Sequence, residues 1–338
     1  VVVVTRPVLE FRDVTLSFSG VTAVDGVSFH VDAGELFAII GPNGAGKTSI
    51  FNVLSGVYRP QTGSVRFEGR DLVGVRPHRI AAMGIARTFQ NIELFAHLTV
   101  VENLMLGRHN HMRYGALSAF AWVGRARREE LANRAAVEEV VDLLELAPWR
   151  RMPVGLLPYG VQKRVELGRA LAMEPRVLLL DEPVAGMNAE ETEDMARFVL
   201  DVREELGVAI VMVEHDMGLV MDLADRVLVL DFGRPIRTGT PAEVQRDPDV
   251  VRAYLGEAHR VEEHDGGGAA GDRAGGGAAG GDGAGGDAAG EGRAAGGDAA
   301  GGERAGDRAA GDRAAGDRAA AGAAGKTSPT GGTAGGAA

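Results

Sequence analysis

The stretch Leu36-Phe37-Ala38-Ile39-Ile40-Gly41-Pro42-Asn43-Gly44-Ala45-Gly46-Lys47-Thr48-Ser49 decides how the rest of the chain is read. It opens with an unbroken apolar run closed by glycine, the pattern of a strand buried on both faces. Residues Gly41 to Thr48 then satisfy G-x-x-x-x-G-K-[ST]. From Lys47 to Ser55 the apolar residues Ile50, Phe51, Val53 and Leu54 keep helical spacing, and Gly56 stands where a helix C-terminus favours glycine. A strand, a glycine-rich turn and a helix in this order form an anion cradle. Backbone N–H groups converge on phosphate oxygens at the helix N-terminus, and the glycines permit the close approach. Lys47 brings a point charge to the β- and γ-phosphates of a nucleotide, and Thr48 a hydroxyl ligand for Mg2+. Ser49 reaches the α-phosphate. A later Gly325-Lys326-Thr327 is no second copy, because Ala320 stands where the first glycine is required and no strand precedes it.

Val177-Leu178-Leu179-Leu180-Asp181-Glu182-Pro183 repeats the logic with carboxylates at the tip of a buried strand, where open α/β sheets bind ligands. Asp181 would hold Mg2+ through its water shell, and Glu182 would polarise an attacking water. Adjacent acids at a strand end also suit a helix cap; the phosphate loop upstream favours the catalytic reading.

Around these two anchors the chain alternates. Strands are expected at Val14–Phe18, at Ala23–Val31 with a break at Asp25-Gly26, at Ser64–Phe67 and at Ile85–Phe89. Helices follow near His78–Met83, Thr99–Leu106, Arg125–Leu146 and Val161–Ala172. Strands return at Val208–Val213 and Val227–Leu230, between helical patterns at Ala189–Leu206 and Met217–Leu223. Short helices near Pro241–Gln245 and Val250–Leu255 end the ordered region. The order predicts a parallel sheet interrupted by a helical insert.

Composition limits the fold to the first three quarters of the chain. Residues 266–338 hold 27 Gly and 25 Ala and no Val, Ile, Leu, Phe, Tyr or Trp, so they have nothing large to bury. Near-repeats of Ala-Ala-Gly-Asp-Arg at 309–313 and 314–318 lack the apolar residue a stacked repeat needs. The segment is expected to be a disordered, polyampholytic tail. The formal net charge of −11 argues against a sequence-independent nucleic-acid binder. With no cysteine there is no disulfide, thiolate metal site or thiol nucleophile. The longest apolar runs have the length of core strands, well short of the roughly 20 residues of a membrane span.

Further residues carry a resemblance. The order of phosphate loop, glutamine, signature, Asp-Glu pair and histidine is similar to that of the ATP-binding cassette family of transporter ATPases, from about Val8 to Gly256. The resemblance implies a nucleotide-hydrolase core with a parallel sheet, an antiparallel β subdomain and a helical subdomain near 91–172. It places the ATPase domain at 5–258 and the tail at 259–338. It assigns Gln90, in Arg87-Thr88-Phe89-Gln90-Asn91, to Mg2+ and the attacking water. It assigns His215, in Val213-Glu214-His215-Asp216-Met217, to the γ-phosphate, and Phe18 either to stacking on adenine or to the core. The signature, commonly L-S-G-G-Q, aligns with Leu157-Pro158-Tyr159-Gly160-Val161, which agrees only at Leu157 and Gly160. Pro158 removes a hydroxyl that the family offers to the opposing γ-phosphate, leaving Gly160 and the N-terminus of the following helix. Asn188 stands where most members carry Asp.

These departures, the ending Gly239-Thr240-Pro241-Ala242-Glu243-Val244 and an extra segment near His109–Arg128 resemble the longer ATPase subunit of branched-chain amino-acid importers. Urea importers and lipopolysaccharide exporters have similar ATPases, and soluble cassette ATPases acting on DNA or ribosomes are a competing class. The importer resemblance implies ATP and Mg2+ as ligands and a second ATPase paired head-to-tail. It further implies two membrane permeases, an extracytoplasmic binding protein, no nucleic acid, and a place at the cytoplasmic face of the membrane. Because residues 266–338 offer no large apolar group, deleting them is expected to leave nucleotide affinity and the thermal midpoint unchanged. A calorimetric midpoint lower by more than several degrees would show that the segment docks on the domain.

Overall fold

The computed structural model describes residues 7–111 and 125–254. The expected tail and the middle of the 109–128 segment lie outside them.

Among the described residues, ten strands form two sheets. The first is antiparallel, in the order β2 (Val21–Val31), β1 (Leu9–Phe18), β4 (Thr62–Phe67) and β5 (Arg70–Asp71). The second runs β10 (Arg234–Gly239), β9 (Arg226–Asp231), β3 (Leu36–Ile40), β8 (Ala209–Val213), β7 (Val177–Asp181) and β6 (Ile85–Arg87). Its strands pair in parallel except for β10, which returns from β9 as a hairpin.

Both faces of the parallel sheet are covered, which is why its strands read as solid apolar runs. Leu36, Ala38 and Ile40 of β3 face one core together with Leu178, Leu180, Ile210 and Met212. That core includes side chains from α3 (Val100–Gly107), α4 (Arg125–Leu143), α5 (Tyr159–Leu171) and α6 (Ala189–Leu206). Phe37, Ile39, Leu179 and Val211 face the opposite core, shared with the antiparallel sheet and α1 (Lys47–Leu54). Phe29 stacks on Phe11 at 4.9 Å and on Phe37 at 5.1 Å, joining the two sheets through rings.

The remaining helices are short: α2 (Pro77–Met83), α7 (Met217–Leu223) and α8 (Pro241–Gln245), followed by helical residues 248–254. Thr99 and Asn188 cap α3 and α6 with reciprocal Glu102 and Glu191 bonds, so both helices start where the sequence puts a capping box. The expected break in β2 at Asp25-Gly26 does not occur. The strand continues through Gly26 and absorbs the irregularity as a shift of register against β1. α5 starts at Tyr159 rather than Val161, so Tyr159 and Gly160 belong to its first turn.

The phosphate loop runs directly beneath other backbone. A Cβ on Gly41 would meet the Leu230 carbonyl at 2.2 Å, and one on Gly46 would meet the Ala23 carbonyl at 2.3 Å. Gly46 also has φ +100°. Gly46→Ala is therefore expected to lower unfolding free energy by about 2 kcal/mol or more, since backbone must shift and a strained dihedral is imposed. Urea denaturation checks this; an unchanged midpoint would mean that the loop is not held against β2.

Candidate active site

Parallel strands end on one edge, and four of them deliver residues there. The loop after β3 carries Gly41–Ser49, and the segment after β6 carries Gln90. Asp181 closes β7 with Glu182 next to it, and the segment after β8 carries His215. Glu182, Gln90 and His215 converge. Gln90 Nε2 donates to Glu182 Oε2 at 2.6 Å, and His215 Nδ1 stands 4.0 Å from Glu182 Oε1. Glu182 itself has φ +48°, a left-handed backbone that a Glu keeps only when its surroundings enforce it. Its N–H donates to the Val213 carbonyl at 2.9 Å, so β8 fixes the turn that β7 begins.

The phosphate loop is shaped for an anion. Lys47 is buried, and its ammonium donates to the carbonyls of Gly41 at 2.5 Å and Pro42 at 3.0 Å, curled over the loop that surrounds it. Thr48 is exposed at the start of α1, and Ser49 half-buried. Pro42, Asn43, Gly44 and Ala45 complete the turn, with Ala45 packed into the core. At the far side, Phe18 remains 42% exposed at the end of β1, its ring edge-on to Tyr58 at 4.9 Å. A ring left that open at a strand end, braced by a second aromatic, suits stacking on a planar base better than membership of the core.

Thr48, Gln90 and Asp181 offer only oxygen donors to a cation, the chemistry of Mg2+. Among the described residues no group of three His, Asp or Glu gathers as a metal cage. Mg2+ held by one or two carboxylates and by substrate phosphates requires none.

The signature residues occupy the start of α5. Leu157 is buried and contributes to the core, while Pro158 and Tyr159 are exposed. Pro158 is the N-cap and makes no side-chain cap bond, so the N–H groups of the first turn have no intrahelical acceptor.

Sequence reasoning missed the residues that hold this edge together. Arg87 Nη2 pairs with Asp181 Oδ2 at 2.7 Å, and its Nη1 donates to Asn52 Oδ1 on α1 at 2.7 Å. The guanidinium lies over both Phe51 and Phe89. It joins the phosphate-loop helix, the glutamine segment and the Asp181 carboxylate. Lys163 and Glu166 form a buried pair at 3.6 Å inside α5. Lys163 Nζ donates to the Gln90 carbonyl at 2.9 Å, and Glu166 Oε1 accepts from Phe89 N–H. Burial pushes the Glu166 carboxyl up, and Lys163 pulls it back down. Glu214, fully buried, accepts from Val184 N–H and His215 N–H, and burial likewise raises its pKa. The available signal was slight: Glu166 stands between the apolar Val165 and Leu167, while Lys163 is flanked by Gln162 and Arg164 and reads as part of a solvated face. For Arg87, which lies 94 residues from Asp181, no spacing signal exists.

Comparison with known proteins agrees with this geometry. Residues 24–185 match the ABC transporter family, and residues 236–260 match a family described as branched-chain amino acid ATP-binding cassette transporter. The chain is 41% identical over 257 residues to the high-affinity branched-chain amino acid transport ATP-binding protein BraF of Pseudomonas aeruginosa, covering 75% of this chain and 100% of that protein. It is 38% identical to the corresponding protein LivG of Escherichia coli K12, with the same coverage. A crystal structure of an ATP-binding cassette from an ABC transporter in its ADP conformation superposes with TM-score 0.65 at 30% identity, covering 75% of this chain and 100% of that one. The chain belongs to the ATP-binding cassette family of transporter ATPases.

Proposed function

We propose that the chain is the ATP-hydrolysing subunit of an importer for branched-chain amino acids. The observation that carries this reading is its similarity, over their whole length, to relatives named for that transport. The second family match at 236–260 supports the same solute class. In this reading the ATPase domain spans 5–258, with the helical part near 91–172, and 259–338 is an appendage.

ATP is held by Gly41–Ser49, with Lys47 turning from the loop carbonyls to the phosphates. Phe18 stacks on the base. Thr48, Gln90 and Asp181 hold Mg2+, which neutralises charge on the phosphates when bound. Arg87, paired with Asp181, holds that carboxylate in place along the edge. Glu182 orients the attacking water and takes its proton, held in place by Gln90, with His215 at the γ-phosphate side. The turn Leu157-Pro158-Tyr159-Gly160 presents the α5 N-terminus to the nucleotide of a second ATPase paired head-to-tail.

Among the described residues no helix is long and apolar enough to cross a membrane. In this reading the chain reaches the membrane through partners: two permeases at the cytoplasmic face, which receive solute from an extracytoplasmic binding protein. Ile92, Leu94 and Phe95 follow Gln90 directly, and Phe95 is 58% exposed, supporting this stretch as the seat of a permease helix. A small rotation of the segment with nucleotide state would then be felt by the permease.

Glu182→Gln tests the chemistry. The amide keeps the shape and a hydrogen bond, so nucleotide affinity is expected to hold while turnover falls about 10²–10⁴-fold. Lys47→Ala is expected to weaken binding itself. If Glu182→Gln lost affinity as severely as Lys47→Ala, Glu182 would be a structural carboxylate. The permease contact is tested by crosslinking, for which a chain without cysteine is a clean background. Single cysteines at 92–98 are expected to link to a permease loop in membranes, and failure at every position would reject the contact.

A further inference from the structure

Helix α5 starts against the loop that follows Glu182. Tyr159 Oη donates to the Ala185 carbonyl at 3.0 Å, and its ring lies along Gly186, where an added Cβ would stand 3.4 Å from Cε1. One residue on, Gly160 is seated on Glu191, and a Cβ there would meet Glu191 Oε1 at 2.6 Å. Glu191 is itself pinned, because its carboxylate and backbone N–H exchange bonds with Asn188 at the start of α6. The first turn of α5 thus meets the segment 182–191 at two places.

The other end of that segment is Glu182 in its left-handed conformation. Ala185 N–H donates to the Glu182 carbonyl at 3.2 Å, so the residue whose carbonyl Tyr159 holds is bonded back to Glu182. The Tyr159 phenol is an O–H donor at its ordinary pKa, and partial burial, together with the negative charges of Glu166 and Glu191, pushes that pKa further up. The glycine that the commoner signature has at this place could not make the bond. Two departures of this chain from the general pattern, Tyr159 and Asn188, therefore fall on the same seam.

We propose that Tyr159 is a positioning residue for Glu182, its hydroxyl tying the turn 157–160 to the loop that holds the catalytic carboxylate, so that turn and carboxylate move as one unit. The proposal rests on the reading of Glu182 as the hydrolytic carboxylate. It gives Tyr159 a task within its own chain, beside any contact with a neighbour's nucleotide.

Tyr159→Phe in the full chain removes the hydroxyl and leaves the ring on Gly186. Since a net hydrogen bond changes an equilibrium by up to about tenfold, kcat for ATP hydrolysis is expected to fall about fivefold to tenfold. KM should stay within about twofold and the thermal midpoint within about 2 °C, because the substitution keeps the backbone N–H groups that face the neighbour's nucleotide and the packing of the ring. Amide hydrogen exchange across 183–188 should speed up by a factor similar to the fall in kcat. An unchanged kcat, with or without faster exchange, would overturn the proposal. A parallel loss of nucleotide affinity and thermal midpoint would do the same, marking Tyr159 as merely structural. If the unmutated chain hydrolysed no ATP, the hydrolase reading would be what failed. The exchange measurement would then decide the tether alone, with unchanged exchange rejecting it.

Discussion

A parallel sheet ends its strands on a common edge, and everything proposed for this chain depends on that constraint. β3, β6, β7 and β8 come from sequence regions far apart, yet each finishes at that edge with one part of the site. β8 lies between β3 and β7, so the phosphate loop and the Asp181-Glu182 pair flank a strand whose own continuation is Glu214-His215. The apolar runs that build these strands are buried on both faces, which makes the edge rigid. Rigidity is what a hydrolytic site needs, because its donors and carboxylates must be in place before the charge develops.

Burying charge at such an edge has a cost, and the chain offsets it with pairing. Asp181 has Arg87, Glu166 has Lys163, and Glu214 has backbone N–H groups from two segments. Removing one member of a buried pair leaves the other uncompensated, so these groups also lock the segments they touch. Each touches a segment that brings a candidate residue to the edge: the Asp181 carboxylate, the segment of Gln90 and the segment of His215. The strained backbone of Glu182 sits among all three, enforced by neighbours rather than by its own preference.

Much of this was legible in the sequence. β3, β7, α6 and α7 have the boundaries that apolar runs, capping residues and turn residues predict. The Gly41–Thr48 loop needed only a motif in the right local setting. What escaped was structure without an apolar pattern. β10, Arg234–Gly239, is an edge strand with mostly exposed side chains, and β5 is only Arg70–Asp71. Arg87 escaped for another reason, since a salt bridge across the sheet leaves no trace in local spacing. The Tyr159–Ala185 bond is likewise a product of packing, although the unusual tyrosine was itself visible in the sequence.

The edge is proposed to hydrolyse ATP and so to drive a permease. The most direct measurement is ATP turnover in proteoliposomes containing the chain with the two permeases and the second ATPase proposed for it. It is made with and without the extracytoplasmic binding protein loaded with a branched-chain amino acid outside. Turnover is expected to rise when the loaded receptor is present, and the solute to accumulate inside only while ATP is consumed. Turnover indifferent to permease, receptor and solute, with no accumulation, would contradict the proposal.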